Sequence, residues 1–169
     1  KVRLRDMLVH SDNMLAEAVG REIAKAKGAP QTFEGATKAT LDVLKEHGIN
    51  TEDAVLFDNS GMSDKNRLTA HELDALLANE QLRPLLDMLP VSSVEGTLAE
   101  RYGAGSGAEQ SAGWVRAKTG TLSGVSTLAG TVMTSSGRSL TFAFLSNDSS
   151  PDAARPALDR LADAVRSAK

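Results

Sequence analysis

The 169 residues are enough for one domain with a buried core, and 41% hydrophobic with 24% charged residues are typical of a globular protein. The balance of 19 basic and 22 acidic residues, net -3, gives no electrostatic footprint for nucleic acid, and no apolar run approaches the length of a membrane span. The absence of cysteine excludes disulfides and thiolate chemistry, and the three histidines are far apart in sequence, so we expect no metal site and no cofactor.

The first half of the chain has mainly helical periodicity. One apolar face, Leu4 to Leu8, predicts a helix that runs into the segment Ser11-Asp12-Asn13. A second apolar stripe, Leu15 to Ile23, predicts another helix. A third helix is predicted from Phe33 to Leu44, closed by Gly48.

The middle of the chain combines turn signals with shorter elements. Ala54 to Phe57 predicts a short buried strand or an extended piece, which feeds a turn at Asp58 to Ser63. Thr69 to Glu72 has the pattern of a capping box at a helix start, and Ser92 to Glu95 suggests a second one. Gly103 to Gly113 is small and polar, which is typical of a flexible linker.

Beyond this segment the period changes from helical to alternating. Trp114 to Ala117 and Ser126 to Thr134 predict two strands, and a third follows a hairpin turn and carries Leu140, Phe142 and Phe144 on one face. Ser149 to Asp152 starts a last helix, which should cover one face of the antiparallel sheet. We therefore predict an α+β fold, with a mainly helical region over 1–110 and antiparallel strands plus a C-terminal helix over 111–169.

The end of the first predicted strand carries an unusual set of polar groups. Lys118 offers an ammonium, Thr119 and Thr121 offer hydroxyls, and Gly120 allows close approach to the backbone. We expect these groups to lie along one edge, where they could bind a carboxylate. The alternative is an ordinary strand that ends in a polar turn.

The segment Ser11-Asp12-Asn13 lies at a junction between helices and also has two interpretations. All three residue types are good N-caps, and Asp12 could simply fix the turn through backbone hydrogen bonds. The functional interpretation is a hydroxyl from Ser11 and an amide from Asn13 that face the Lys118 edge across one groove.

Ser-Asp-Asn and Lys-Thr-Gly are both signature motifs of penicillin-binding proteins and class A β-lactamases. With them in this order, the chain resembles the C-terminal part of the class C penicillin-binding D-alanyl-D-alanine carboxypeptidases, the family of penicillin-binding protein 4. The resemblance extends over most of the chain, in the blocks Ser11 to Glu17, Asp58 to Ser63 with Asn66 to Thr69, Leu89 to Leu98, and Val115 to Gly130. Asn59 stands where the family usually has glycine, and we expect from it little more than a tighter turn.

The resemblance implies a β-lactamase/transpeptidase-like fold whose N-terminal strands and nucleophile helix are missing from this chain. It also implies a Ser-x-x-Lys tetrad that supplies the nucleophile, and these 169 residues contain none. Ser63 and Lys65 have the wrong spacing for one helical turn. We expect the nucleophile in a preceding segment and the fragment alone to be catalytically silent.

For Ser11, Asn13 and Lys118, the resemblance implies roles in proton transfer and substrate positioning. Ser11 would relay a proton between the nucleophile region and the departing amine. Asn13 would bind the acyl-side amide of the substrate and steady the missing lysine. Lys118 would assist proton movement through Ser11 and attract the terminal carboxylate of the substrate.

For the strand, the resemblance implies a site for that carboxylate. The hydroxyls of Thr119 and Thr121 would hold it, and the backbone N–H of Thr121 would form half of an oxyanion hole. Gly120 would have to be small because a side chain would push the edge strand away from the acyl group.

The implied partners are peptidoglycan D-Ala-D-Ala peptides, β-lactams and the missing N-terminal part of the same protein, at a site outside the cytoplasmic membrane. Two alternatives remain open. One is a serine β-lactamase, for which Glu46 is the tempting water-activating carboxylate, although its surroundings favour an ordinary helix end. The other is a non-catalytic module that binds cell-wall peptides.

Overall fold

The computed structural model describes residues 4–168. Its helices are α1 (Leu4–His10), α2 (Asn13–Ala26), α3 (Phe33–Glu46), α4 (Ala70–Ala78), α5 (Arg83–Leu86) and α6 (Pro151–Arg166). Its strands are β1 (Val115–Leu122), β2 (Val125–Met133) and β3 (Ser139–Ser146), and single 3-10 turns lie at Glu80–Leu82, Gly96–Leu98 and Glu109–Ser111. The predicted order of helices followed by antiparallel strands and a final helix is confirmed. No helix within residues 4–168 has the length and apolar character needed to span a membrane.

The described residues form two compact units. Residues 12–76 make the helical unit, and residues 4–11 together with 77–168 make the sheet unit. Residues 77–110, which sequence periodicity groups with the helices, thus belong to the unit that contains the sheet.

In the helical unit, small residues let α2 and α3 pack closely. Ala24, Ala36 and Ala39 are at most 2% exposed and form the contact between the two helices. Both helices begin at side-chain caps: Asp12 accepts a hydrogen bond from the backbone N–H of Leu15, and Thr32 caps α3 in the same way. The capping interpretation of Asp12 is therefore correct.

The turn that follows Phe57 is held by a polar network. The carboxylate of Asp58 accepts hydrogen bonds from the backbone of Gly61 and Ser63. Asn59 does more than tighten the turn, since its side-chain oxygen accepts a hydrogen bond from the Thr40 hydroxyl at 2.8 Å, and its amide packs against Gly20 of α2.

Of the two predictions for the segment before this turn, the buried strand is wrong and the extended piece fits. Val55 forms a single antiparallel bridge to Arg67, and Val55 and Phe57 are 44% and 50% exposed. The apolar run is too short to pair with more than one neighbouring residue, so only Ala54 is buried. At Thr69 the predicted capping box is present, because the Glu72 carboxylate accepts the Thr69 N–H and the Thr69 hydroxyl accepts the Glu72 N–H.

The sheet unit is a three-stranded antiparallel sheet in the order β1-β2-β3, with α6 packed on one face. The register pairs Ala117 with Gly130, and Gly130 with Phe142, so these three residues point to the same face. Odd-numbered residues of β1 and even-numbered residues of β2 and β3 therefore face α6. The buried core on this face comprises Leu98, Tyr102, Ala108, Val115, Ala117, Leu128, Val132, Phe142, Leu158 and Ala162.

Two local predictions in the sheet unit are wrong. Ser92 to Glu95 does not start an α-helix: Ser92 donates its hydroxyl proton to the carbonyl of Ser111, and Ser93 has a positive φ of 59°. The segment from Gly103 to Gly113 is not a loose linker, because Ala108 and Ser111 are at most 1% exposed and join the core. In both segments tertiary burial overrides local composition.

Candidate active site

The outer edge of β1 is partly covered. The segment around Val91 pairs with the beginning of β1, through hydrogen bonds from Ser92 N–H to the Val115 carbonyl and from Ala117 N–H to the Pro90 carbonyl. Within the described residues, no further strand or bridge covers this edge after Ala117. Since the backbone groups of alternate residues point the same way, the N–H of Thr121 also points to this outer edge.

The strand extends further than predicted, through the Lys-Thr-Gly motif to Leu122. Pleating therefore puts Lys118 and Gly120 on one face and Thr119 and Thr121 on the face that carries α6. The sequence predicted these groups along one edge and did not assign them to faces of the strand. The Lys118 side chain still reaches the edge, where its ammonium donates to the carbonyl oxygen of Thr119 at 2.7 Å.

The ammonium of Lys118 also donates a hydrogen bond to the hydroxyl oxygen of Ser11 at 2.7 Å. Both acceptors are uncharged, and none of the carboxylates in residues 4–168 lies within ion-pair distance of the ammonium. Burial without a compensating anion lowers the pKa of Lys118 from 10.5 to about 8. Lys118 can therefore exist in both protonation states near neutral pH.

Ser11 holds its hydroxyl at this position through an uncommon backbone conformation. Its φ is 54°, in the left-handed region that non-glycine residues rarely adopt. Because such a conformation costs on the order of 1 kcal/mol or more, it persists only where the surroundings determine it. Asn13 is the exposed first residue of α2 and belongs to the helical unit. Its predicted contact with the substrate stays a prediction.

Thr119 is tied to a residue that sequence reasoning did not single out. Its hydroxyl donates to the hydroxyl oxygen of Thr97 at 2.9 Å. Thr97 follows Gly96, which has a φ of 56° and lies so close to the carbonyl oxygen of Val9 that an added Cβ would be 2.2 Å from it. The residue before Gly96, Glu95, accepts two hydrogen bonds from the Arg5 guanidinium at 2.5 and 2.6 Å.

The segment Glu95 to Thr97 thus contacts both α1, which ends next to Ser11, and β1, which carries Thr119. Thr97 lies inside the block Leu89 to Leu98 that carries part of the family resemblance, and this block was the signal that could have identified it. Its role was missed because nothing in the local sequence indicates a partner 22 positions away.

The structure gives a reason for glycine at position 120 that the sequence did not indicate. It pairs with Thr127 of β2, and a Cβ on Gly120 would lie 2.4 Å from the Thr127 hydroxyl oxygen. The side chain that limits Gly120 therefore comes from the neighbouring strand. Space for an acyl group is a separate requirement that stays a prediction.

Glu46, which the sequence offered as a water-activating carboxylate, and Trp114 have ordinary structural roles. Glu46 is the last residue of α3, its exposed carboxylate pairs with Lys27, and the helix-end interpretation is confirmed. Trp114 is 49% exposed and its ring is covered by the guanidinium of Arg166 at 5.0 Å. Neither residue is brought to Lys118 by any described contact.

Together these contacts give the site a definite chemical character. A half-buried amine of lowered pKa donates to a serine hydroxyl, which leaves the serine proton available for transfer to another group. Beside them lie an outward backbone N–H and two threonine hydroxyls. Such a set can move a proton and bind an anion, but within residues 4–168 it includes no serine with a lysine one helical turn away.

Comparisons with known proteins agree with this chemistry. A sequence profile described as the D-Ala-D-Ala carboxypeptidase 3 (S13) family matches residues 1–165. The chain is 48% identical to carboxypeptidase DacB of Mycolicibacterium smegmatis over 98% of its own length and 37% of the relative. It is 35% identical to a D-alanyl-D-alanine carboxypeptidase of an Actinomadura species, over 88% of its length and 28% of the relative. The chain thus spans about a third of the length of the curated relatives it matches.

A solved structure shares the fold. Penicillin binding protein 4 of Haemophilus influenzae, in a crystal structure with a β-lactam, superposes with a TM-score of 0.79 at 28% identity. The superposition covers 94% of this chain and 39% of that one. A predatory endopeptidase of Bdellovibrio bacteriovorus, at 22% identity and a TM-score of 0.69, has the same fold.

Proposed function

The chain belongs to the D-Ala-D-Ala carboxypeptidase 3 (S13) family, and on this premise we propose that it supplies the proton-relay and carboxylate-binding side of a serine D-Ala-D-Ala carboxypeptidase site. The observation that carries the proposal is the 2.7 Å hydrogen bond from the half-buried Lys118 ammonium to the Ser11 hydroxyl. The two groups lie on elements far apart in sequence and meet where the free edge of β1 begins.

The reaction begins with attack by a serine hydroxyl on the carbonyl of the penultimate D-Ala residue, which gives an acyl-enzyme and releases the terminal D-Ala. The leaving amine must gain a proton as the C–N bond breaks. Ser11 would pass it the O–H proton and regain one from the attacking serine, whose hydroxyl proton leaves as the acyl bond forms, so that Ser11 acts as a relay. This is possible because Lys118 donates to one lone pair of the Ser11 oxygen and leaves the O–H proton free. Water then hydrolyses the acyl-enzyme.

Lys118 contributes in a second way through its charge. Its pKa of about 8 leaves it mainly protonated at neutral pH, so it attracts an anionic substrate and can still exchange its proton with Ser11. The terminal carboxylate would bind to the hydroxyl of Thr121, and to that of Thr119 once its proton turns from Thr97 to the ligand. The outward N–H of Thr121 would donate to the carbonyl oxygen as negative charge develops on it.

The nucleophile lies outside these 169 residues, in a segment that carries Ser-x-x-Lys; this chain joined to that segment is called the complete domain. Asn13 would bind the acyl-side amide and the lysine of that segment. The same site would be acylated by penicillin and other β-lactams, whose strained amide replaces the peptide bond. The substrate, peptidoglycan stem peptide, implies a location outside the cytoplasmic membrane.

The test is labelling with a fluorescent penicillin, applied to this chain alone, to the nucleophile segment alone and to the complete domain. Labelling of the complete domain only, with release of D-Ala from a D-Ala-D-Ala peptide, is the expected result. If the complete domain binds the peptide but neither releases D-Ala nor is labelled, the protein is a cell-wall binding module and the proposal is wrong.

A further inference from the structure

Arg155 brings a guanidinium to the threonine hydroxyls of the site. It lies in the second turn of α6, and its Nη2 donates to the hydroxyl oxygen of Thr121 at 3.2 Å. Both side chains are exposed, so a ligand at the β1 edge can reach them. The sequence motifs gave no indication of this residue.

The backbone of Arg155 is firmly held even though its side chain is exposed. Its carbonyl oxygen accepts a hydrogen bond from Nη2 of Arg101 at 3.2 Å. Arg101 is itself fixed by two hydrogen bonds to the buried carboxylate of Asp159, at 2.7 and 2.9 Å. The root of the Arg155 side chain therefore has a defined position relative to β1.

The charge of Arg155 has no anionic partner in the part of the chain that the structure describes. Two other arginines of the sheet unit, Arg5 and Arg101, each form an ion pair with a carboxylate. None of the carboxylates of residues 4–168 lies within ion-pair distance of Arg155, including Asp152 three positions earlier on the same helix. A guanidinium in this state is available for a ligand anion.

The hydrogen bond from Arg155 uses the Thr121 hydroxyl as an acceptor and not as a donor. Because the Thr121 oxygen accepts from the guanidinium, its single O–H proton remains free for another acceptor. Thr119 differs, since its proton is already directed to Thr97. Of the two hydroxyls, Thr121 is the one prepared to donate to an incoming anion.

We propose that Arg155 is a specificity-determining residue that, with the hydroxyl of Thr121, binds the free α-carboxylate of the leaving amino acid. This rests on the proposed function, which already requires a free terminal carboxylate, and adds to it the residue on α6 that distinguishes this carboxylate from an amide. A guanidinium suits this task because its N–H groups match the two oxygens of a carboxylate, and a neutral amide offers it only one acceptor.

The experiment compares two substrates on the complete domain: a peptide that ends in D-Ala-D-Ala and the same peptide with a C-terminal amide. Arg155→Gln should lower kcat/KM for the free acid about tenfold, mainly through KM, and leave the amide unchanged. Arg155→Lys should retain part of the preference. Arg160→Gln, a matched neutralisation on the same helix, should change neither substrate. Equal losses for acid and amide, or no loss for the acid, would overturn the proposal.

A binding measurement separates this inference from the proposed function. N-acetyl-D-alanine and its amide are titrated into the complete domain and followed by NMR, which needs no turnover. The acid should bind the parent more tightly than the amide, and Arg155→Gln should remove the difference. If the acid binds parent and variant equally, the role of Arg155 is rejected. A parent that shows the preference but releases no D-Ala refutes the carboxypeptidase activity alone.

Discussion

The Lys118 ammonium and the Ser11 hydroxyl, 107 positions apart in the chain, lie 2.7 Å apart in the fold. The contact joins the end of α1 to the outer edge of β1. It leaves a half-buried cation bonded only to uncharged oxygens. The partial burial explains its lowered pKa, and the hydrogen bond explains its capacity to act on the Ser11 proton.

The role of the Ser11 hydroxyl can be separated from the role of its backbone. In Ser11→Gly, glycine adopts the left-handed conformation at no steric cost, whereas alanine in Ser11→Ala keeps the strain. We therefore expect the free energy of unfolding of Ser11→Gly to exceed that of Ser11→Ala by about 1 kcal/mol. Both variants should lose most acylation of the complete domain because neither has a hydroxyl. Urea unfolding and penicillin labelling are the measurements. High activity in the glycine variant would show that the hydroxyl is dispensable.

The lowered pKa of Lys118 predicts a rise in stability at alkaline pH. The folded chain loses this proton near pH 8, whereas the unfolded chain keeps it to about pH 10.5. Between these values the unfolded state binds more protons, so the free energy of unfolding should increase with pH, by on the order of 2 kcal/mol in total.

Lys118→Met is the matched variant for this measurement, since it keeps the length of the side chain and removes the titrating group. Burial raises the pKa of the Tyr102 phenol, so Tyr102 acts in the opposite direction above about pH 10, but equally in parent and variant. The difference between the two unfolding curves should therefore report Lys118. The same pH dependence in both proteins would contradict a lowered pKa.

Gly120 and Thr127 should behave as a coupled pair. Gly120→Ala introduces a methyl group 2.4 Å from the Thr127 hydroxyl oxygen and should lower the free energy of unfolding by about 1–3 kcal/mol. Adding Thr127→Ala removes the obstructing hydroxyl and should restore most of this loss, whereas Thr127→Ala alone should have a smaller effect.

Acylation of the double variant then tests the other requirement at Gly120. If stability returns and labelling by penicillin does not, the site itself also needs the space that glycine leaves. If stability does not return, the contact with Thr127 is not what limits this position.

The β-lactamase alternative makes a prediction at Glu46. Since this carboxylate is exposed at the end of α3 and paired with Lys27, Glu46→Gln should leave hydrolysis of the penicilloyl-enzyme unchanged. Its stability should change by less than about 1 kcal/mol, the typical size of an exposed ion pair. The release rate of fluorescent penicilloyl product is the measurement. A marked slowing in this variant would support Glu46 as the group that activates water.

Much of this fold could be predicted from the sequence because local signals and tertiary structure agree. The stripes of α2, α3 and α6 and the alternation of β2 and β3 are strong, long patterns. The N-caps of α2 and α6, Asp12 and Ser150, lie in the segments where the sequence placed a cap or a helix start, whereas the cap at Thr32 was not predicted. The errors are at short segments. Val55 and Phe57 are apolar yet exposed, and Ala108 and Ser111 lie in a polar, glycine-rich segment yet are buried.

At the site, motif chemistry predicted which residues matter but not how they are supported. The pairing of Ser11 with Lys118 follows from two motifs that occur together in one family signature. The contacts of Thr97 and Arg155 depend on three-dimensional neighbours 22 and 34 positions away, and a single threonine or arginine has no pattern that indicates such a partner. The sequence also did not indicate that β1 continues through the motif to Leu122, so it assigned no faces to these side chains.

The most direct test of the central claim is the acylation rate of the complete domain with Lys118→Ala, measured with fluorescent penicillin after circular dichroism has established that the fold is intact. If Lys118 acts on the Ser11 proton as its geometry indicates, acylation should fall by at least about a hundredfold, the usual contribution of positioned acid–base groups. An acylation rate equal to that of the parent would contradict the assignment of Ser11 and Lys118 to the active site.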